Sequence, residues 1–295
     1  MGKYTLFTGT GVALVTPMQA DGSVHYRKYR ELIERQIDAG VSALIAAGTT
    51  GEASTLSRRE LADLFTATVE QTRGRVPVIC GAGTNNTAAT VELSELAYDC
   101  GADATLLVTP YYNKTSQQGL IEHYTYVADH SKLPMILYNV PSRTGVDLLP
   151  ETVCALSRHP RIVAIKAAGS NLAHVAQIAA GCDIDIYSGN DDQILPVMSL
   201  GGKGVISVMA NVIPRQTAAI TARWLEGQHD EALRLQLEWL DLASALFADV
   251  NPIPVKHAMN LLGLEVGDCR LPLCHIGDSA EKKLIAALKR HQLIC

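Results

Sequence analysis

No apolar stretch in this 295-residue chain reaches about 18 residues, so nothing in it reads as a membrane-crossing helix. Basic runs are missing too. Lys and Arg number 25 against 30 Asp and Glu, a formal net charge of −5, which disfavours nucleic acid and anionic lipid as partners. The seven cysteines are scattered, with no CxxC pair. Cys269 and Cys274 lie five apart without a neighbouring ligand cluster, so a metal site is not expected. A Walker lysine, HExxH and GxSxG are all absent, and Gly9-x-Gly11 does not complete a GxGxxG dinucleotide turn. No secretory leader is read at Met1-Gly2-Lys3-Tyr4, which runs into a strand-like segment. The expectation is a cytoplasmic protein with reduced thiols.

What is present is a repeat of short apolar runs. They fall at 11–16, 43–47, 76–81, 104–109, 135–139, 162–166, 184–188 and 204–208. Most are rich in Val, Ile, Leu and Ala without alternation, as in parallel strands covered on both faces. Amphipathic segments fill most of the gaps. One spans 26–39, with Gly40 placed as a C-terminal cap. Ser57-Arg58-Arg59-Glu60 reads as a capping box ahead of a helix over 61–72. Eight strand–helix alternations predict an α/β fold, a (β/α)₈ barrel (TIM barrel), over residues 1–225. A doubly wound sheet is the alternative, but eight units suffice to close a ring. After the eighth strand come only helical patterns, at 218–226, 230–246, 254–262 and 278–291. Residues 226–295 are expected to form a C-terminal helical domain.

Chemistry in such a barrel sits at the C-terminal strand ends. Lys166 closes the sixth run. It is either a solvated strand terminator or a nucleophile, and a lysine amine attacks a ketone to form an imine. Tyr138 closes the fifth run, as a rim-packing ring or as a phenol that moves protons. Arg143 follows in Pro-Ser-Arg-Thr-Gly, as a solvated charge or a bidentate carboxylate clamp. Thr49 and Thr50 stand between glycines after the second run, satisfying a turn or meeting a substrate carboxylate. Tyr111 and Tyr112 after the fourth run suit an interface, a second phenol, or both. Together the set fits Schiff-base chemistry on a small keto acid.

With these residues in place, the chain resembles the dihydrodipicolinate synthase (4-hydroxy-tetrahydrodipicolinate synthase) family of pyruvate-dependent aldolases, to which N-acetylneuraminate lyase is related. The resemblance runs from about Thr8 to Leu273. It rests on GTTGE at 48–52, TPYYNK at 109–114, YNVPSRTG at 138–145, AIK at 164–166, GGKGVISV at 201–208 and NPIPVK at 251–256. It implies a barrel with a C-terminal helical domain, usually a homotetramer, needing no cofactor or metal. Lys166 would form the imine with pyruvate and Tyr138 would be the central acid/base. Thr50 would relay protons to Tyr112 from the adjacent subunit. Thr49 and Thr50 would hold the pyruvate carboxylate, Arg143 the carboxylate of the incoming aldehyde, and Ile206 would line the pocket. The implied reaction condenses pyruvate with L-aspartate 4-semialdehyde, in lysine and diaminopimelate biosynthesis. Sialic-acid lyases generally lack the arginine that Arg143 supplies.

Two departures stand out. Many synthases read Lys-Glu-Ala where this chain reads Lys166-Ala167-Ala168. Lysine-inhibited members often carry a His and a Glu where this chain has Arg58 and Ala89, while Asn85 and Tyr111 remain. Weak or absent inhibition by lysine is expected. Two other functions stay open on sequence alone: a pyruvate aldolase or dehydratase acting on a sugar acid or other keto acid, and a non-catalytic keto-acid sensor on the same barrel.

Overall fold

Eight parallel strands close a ring in sequence order in the computed structural model, which describes residues 4–295; Met1–Lys3, part of the leader reading, lie outside the described residues. The strands are β1 (Gly9–Ala13), β2 (Ala43–Ala46), β3 (Val78–Gly81), β4 (Ala104–Val108), β5 (Met135–Asn139), β6 (Ile162–Ala167), β7 (Asp185–Ser188) and β8 (Gly204–Ser207). The connecting helices are α1 (Tyr26–Asp38), α2 (Arg58–Thr72), α3 (Thr87–Asp99), α4 (Gln117–His130), the one-turn α5 (Pro141–Thr144), α6 (Pro150–Leu156), α7 (Leu172–Gly181) and α8 (Ile194–Ser199). Beyond β8 follow α9 (Pro214–Leu225), α10 (His229–Glu238), α11 (Leu240–Ala245), α12 (Ile253–Leu261) and α13 (Asp278–Arg290). The chain is a (β/α)₈ barrel carrying further C-terminal helices.

Strand side chains divide by the two-residue period. Leu137, Ile165, Ile186 and Leu107 face outward and pack with Leu120, Tyr124 and Ile178 of the helices. Ile136, Tyr138, Tyr187 and Ile206 face inward with Ala43, Ile45, Ile79 and Leu106. Both faces are apolar because both are covered, which is why the runs show no alternation in hydropathy. Ring closure requires glycine. A Cβ on Gly204 would fall 1.8 Å from the Gly9 carbonyl oxygen, so β1 and β8 approach too closely for any side chain there. Gly9-x-Gly11 therefore serves the barrel seam, where β1 pairs β8 through Gly9↔Gly204.

The capping box forms as expected: the Ser57 hydroxyl accepts from the Glu60 N–H, and the Glu60 carboxylate accepts from the Ser57 N–H. Such a cap contributes about 1 kcal/mol. Two expectations need correction. β1 spans Gly9–Ala13 rather than 11–16, because beyond Leu14 side-chain bonds replace the strand ladder: the Val15 N–H donates to Asn211 Oδ1, and the Thr16 hydroxyl donates to the Gly51 carbonyl. The single helix at 230–246 is two helices. They break at Trp239, whose buried ring stacks on His291 after α13, centroids 4.2 Å apart. Packing there overrides a locally unbroken helical pattern.

The helices after Leu225 share a core with the barrel. Leu242, Val255, Met259, Leu284 and Leu288 pack in one buried cluster with Val15, Leu32, Val205 and Val208. No helix among the described residues is long and apolar enough to cross a membrane.

Candidate active site

Lys166 and Tyr138 are paired neighbours on β6 and β5, at the C-terminal end of the barrel. Adjacent parallel partners share a face, so both side chains turn inward. The Lys166 Nζ stands 4.3 Å from the centroid of the Tyr138 ring. Lys166 is only 5% exposed. A buried lysine against an aromatic face is not a solvated strand terminator.

On its other side Lys166 pairs with Tyr187 of β7. The two tyrosines differ in what their hydroxyls can do. Tyr187 stacks on Phe7 and its O–H donates to the Phe7 carbonyl at 2.7 Å. Burial pushes its phenol well above the usual range. That proton is committed to the barrel floor. Tyr138 instead lines a cavity of about 220 Å³, together with Thr49, Tyr111, Val140 and Arg143. It is the link between that cavity and the amine.

Thr49 and Thr50 lie in the turn after β2, held by Gly51 N–H to Gly48 carbonyl and Glu52 N–H to Thr49 carbonyl bonds. Thr50 is buried, and its Oγ1 accepts from Asn251 Nδ2 at 3.0 Å. Arg143 lies in α5, whose Pro141 and left-handed Gly145 bound a single turn after β5. Its Nη2 donates to the Asn251 carbonyl at 3.0 Å, which holds the guanidinium over the cavity wall. Ile206 of β8 is fully buried in the interior cluster with Tyr138.

Of the residues singled out from sequence, Lys166, Tyr138, Thr49, Thr50, Arg143 and Ile206 gather at this barrel mouth. Tyr112 does not. It follows β4 with a left-handed backbone, φ 66°, and is 90% exposed, while Tyr111 beside it lines the cavity. Arg58 pairs with Glu92 at 2.7 Å, and Ala89 opens α3 with its N–H on the Asn86 side chain. Among the described residues no cluster of three or more His, Cys, Asp or Glu has the arrangement of a metal site.

At Ala167 no carboxylate is present, and a second cavity of about 300 Å³ opens beside Ala167 and Ala168. Its polar wall is organised by Asp147, which accepts from Asn139 Nδ2 at 2.8 Å and stands 3.5 Å from His174 Nδ1. Asn139, the next residue after Tyr138, is thereby fixed from outside the barrel.

Three functional supports escaped the sequence reading. Asn251 begins NPIPVK, a motif recognised without a role for its asparagine. Glu52 and Lys256 form a buried ion pair behind the Thr49–Thr50 turn, at 2.9 Å. Asp191, after β7, is buried, and its Oδ2 accepts from the Val208 and Met209 N–H groups at 3.0 and 2.8 Å. Burial raises its carboxyl above the usual range, and these bonds oppose the rise. It anchors the end of β8 next to Ile206. Polar residues after strands seven and eight were the available signal, but nothing local says which is buried.

Comparisons with known proteins identify the family and the fold. The model of the dihydrodipicolinate synthetase family matches residues 6–291. A 4-hydroxy-tetrahydrodipicolinate synthase from Lachnoclostridium phytofermentans is 52% identical over 292 residues, covering 98% of this chain and 99% of that protein. One from Thermoanaerobacter sp. strain X514 is 50% identical over 292 residues, 98% of each chain. A solved dihydrodipicolinate synthase from Acinetobacter baumannii, complexed with pyruvate, superposes with a TM-score of 0.95 at 40% identity, covering 98% of this chain and all of that one.

Proposed function

The chain belongs to the dihydrodipicolinate synthetase family, and we infer that it is a lyase condensing pyruvate with L-aspartate 4-semialdehyde to 4-hydroxy-tetrahydrodipicolinate, a step of lysine and diaminopimelate biosynthesis. The observation that carries this reading is the buried Lys166 amine, 4.3 Å from the ring of Tyr138, beside a cavity bounded by Thr49 and Arg143.

Each group then has a task. The Lys166 Nζ attacks C2 of pyruvate and forms a carbinolamine, which loses water to give the imine. Tyr138 supplies the proton that leaves with the water and takes up protons shed by nitrogen and carbon. Loss of a C3 proton makes the enamine, whose C3 attacks the aldehyde carbon. The aspartate-derived amine next adds to C2, closing the ring and releasing Lys166 as a free amine. Thr49 and Thr50 hold the pyruvate carboxylate. Arg143, held in place by the Asn251 carbonyl, offers its remaining N–H groups to the carboxylate of the aldehyde. Ile206 forms an apolar wall that keeps the enamine from water.

Thr50 relays protons between Tyr138 and Tyr112 of an adjacent subunit. The 90% exposure of Tyr112 within its own chain supports that assignment, since a phenol uncovered by its own fold is available to a neighbour. We take the assembly to be a homotetramer and the location to be cytoplasmic. Residues 226–295 form the helical C-terminal unit on this reading, docked on the barrel.

Borohydride reduction in the presence of pyruvate, followed by intact mass and peptide mapping, tests the chemistry; turnover of aspartate semialdehyde tests the substrate. A reduced pyruvyl adduct on Lys166 with turnover is expected. An adduct without turnover would redirect the aldolase chemistry to a sugar-acid aldehyde. No adduct would remove the mechanism.

A further inference from the structure

The Thr50 hydroxyl has one proton and a direction in which to give it. In this structure that direction is decided 201 positions away, by Asn251. Asn251 precedes α12 and is buried at 5% exposure. Its Nδ2 donates to Thr50 Oγ1 at 3.0 Å, while its Oδ1 is buried with no hydrogen-bond partner among the described residues. Its carbonyl accepts from Arg143 Nη2 at 3.0 Å. One residue of the C-terminal segment thus touches both the relay hydroxyl and the carboxylate anchor.

We propose that Asn251 is a positioning residue that sets the polarity of the Thr50 hydroxyl and ties it to Arg143. A hydroxyl that accepts an amide N–H must donate its own proton to a different acceptor. With Asn251 behind it, Thr50 gives its proton away from α12, toward the rest of the site. Reversing the Asn251 bond would draw that proton backward and break the relay. The two contacts are chemically separable, because Thr50 meets the side chain and Arg143 the main chain.

The location is well supported. Five residues on, Lys256 is fully buried, with its ammonium on Glu52 Oε1, the Thr16 carbonyl and the Asp268 carbonyl. Glu52 Oε2 in turn accepts from the Arg270 N–H. Both ends of the Thr50–Glu52 segment are therefore clamped by the segment that begins at Asn251. Fixed hydroxyl geometry is what a proton relay requires, since misaligned transfer loses rate faster than binding.

This proposal rests on Thr50 as a relay, so the experiment begins with Thr50→Val alone. Steady-state kinetics would then compare Asn251→Ala, Asn251→Asp and Thr50→Val/Asn251→Ala, with thermal midpoints and the pyruvate–borohydride adduct as folding controls. Asn251→Ala is expected to lower kcat about ten-fold, the equivalent of one neutral hydrogen bond, with the aldehyde KM within about two-fold. Asn251→Asp is isosteric but has no donor, and its expected kcat is at or below that of the alanine variant. Adding Asn251→Ala to Thr50→Val should cost nothing more.

Three results would overturn the proposal. They are an aspartate variant faster than the alanine variant, multiplicative losses in the double variant, or a loss confined to aldehyde KM. If Thr50→Val turned over at the parental rate, the relay itself would fall, and that outcome is visible before any Asn251 variant is compared.

Discussion

Glu52 and Lys256, 204 positions apart, meet as a fully buried ion pair at 2.9 Å behind the turn that carries Thr49 and Thr50. The pair joins the loop after β2 to α12, so the Thr49–Thr50 turn and the C-terminal helices are one mechanical unit. Its remaining valences are filled: the ammonium also meets the Thr16 and Asp268 carbonyls, and the carboxylate accepts the Arg270 N–H. Removing one partner leaves a buried, uncompensated charge. Lys256→Ala should therefore destabilise the fold by about 3–5 kcal/mol. Thermal and urea unfolding check this, and a loss under about 1 kcal/mol would show that water reaches the site.

Arg143 should act on one substrate only. Its guanidinium faces the cavity but does not contact Lys166 through any hydrogen bond in the structure's network. Arg143→Ala should raise the aldehyde KM about 10–100-fold, the cost of a lost charge-assisted hydrogen bond or two. The pyruvate adduct on Lys166 should still form in the borohydride experiment. Loss of that adduct would instead assign Arg143 to the pyruvate carboxylate.

The acid limb of stability should report Glu60. Hydrogen bonding from Arg270 holds its carboxyl down at about 2, against an ordinary value of 4.5. A depressed carboxylate stabilises the fold above its unfolded pKa and loses that contribution as protons bind. The contribution is complete above about pH 5 and fades as pH falls through 4.5 toward about 2. Glu60→Gln should flatten the dependence of the thermal midpoint on pH in this window and leave the slope above pH 6 unchanged. An unaltered acid limb would place the sensitivity elsewhere.

L-lysine should be a weak inhibitor. The family resemblance puts an anionic partner for the lysine ammonium at position 89, where this chain has Ala89. Arg58, at the other departing position, is engaged with Glu92. Initial rates across millimolar lysine should change little, and a micromolar inhibition constant would contradict the reading. Ala89→Glu should increase sensitivity, detectable as a lower half-inhibitory concentration.

What the sequence determined by itself was everything with a short-range signature. Eight apolar runs without alternation specify strands covered on both faces, and Ser57-x-x-Glu60 specifies a helix start, because those signals lie within a few residues of what they describe. Lys166, Tyr138 and Arg143 were legible as strand-end polar groups once the barrel was recognised, since its topology alone converges those ends. The tertiary structure decided what depends on distant packing. It ended β1 at Ala13, broke the helix at Trp239 against His291, and committed the Tyr187 proton to the Phe7 carbonyl. It also brought Asn251 to Thr50 and Lys256 to Glu52. A buried polar residue has the same letter as an exposed one. Only the closed fold sets which hydroxyl, amide or ammonium loses its water and must find a partner.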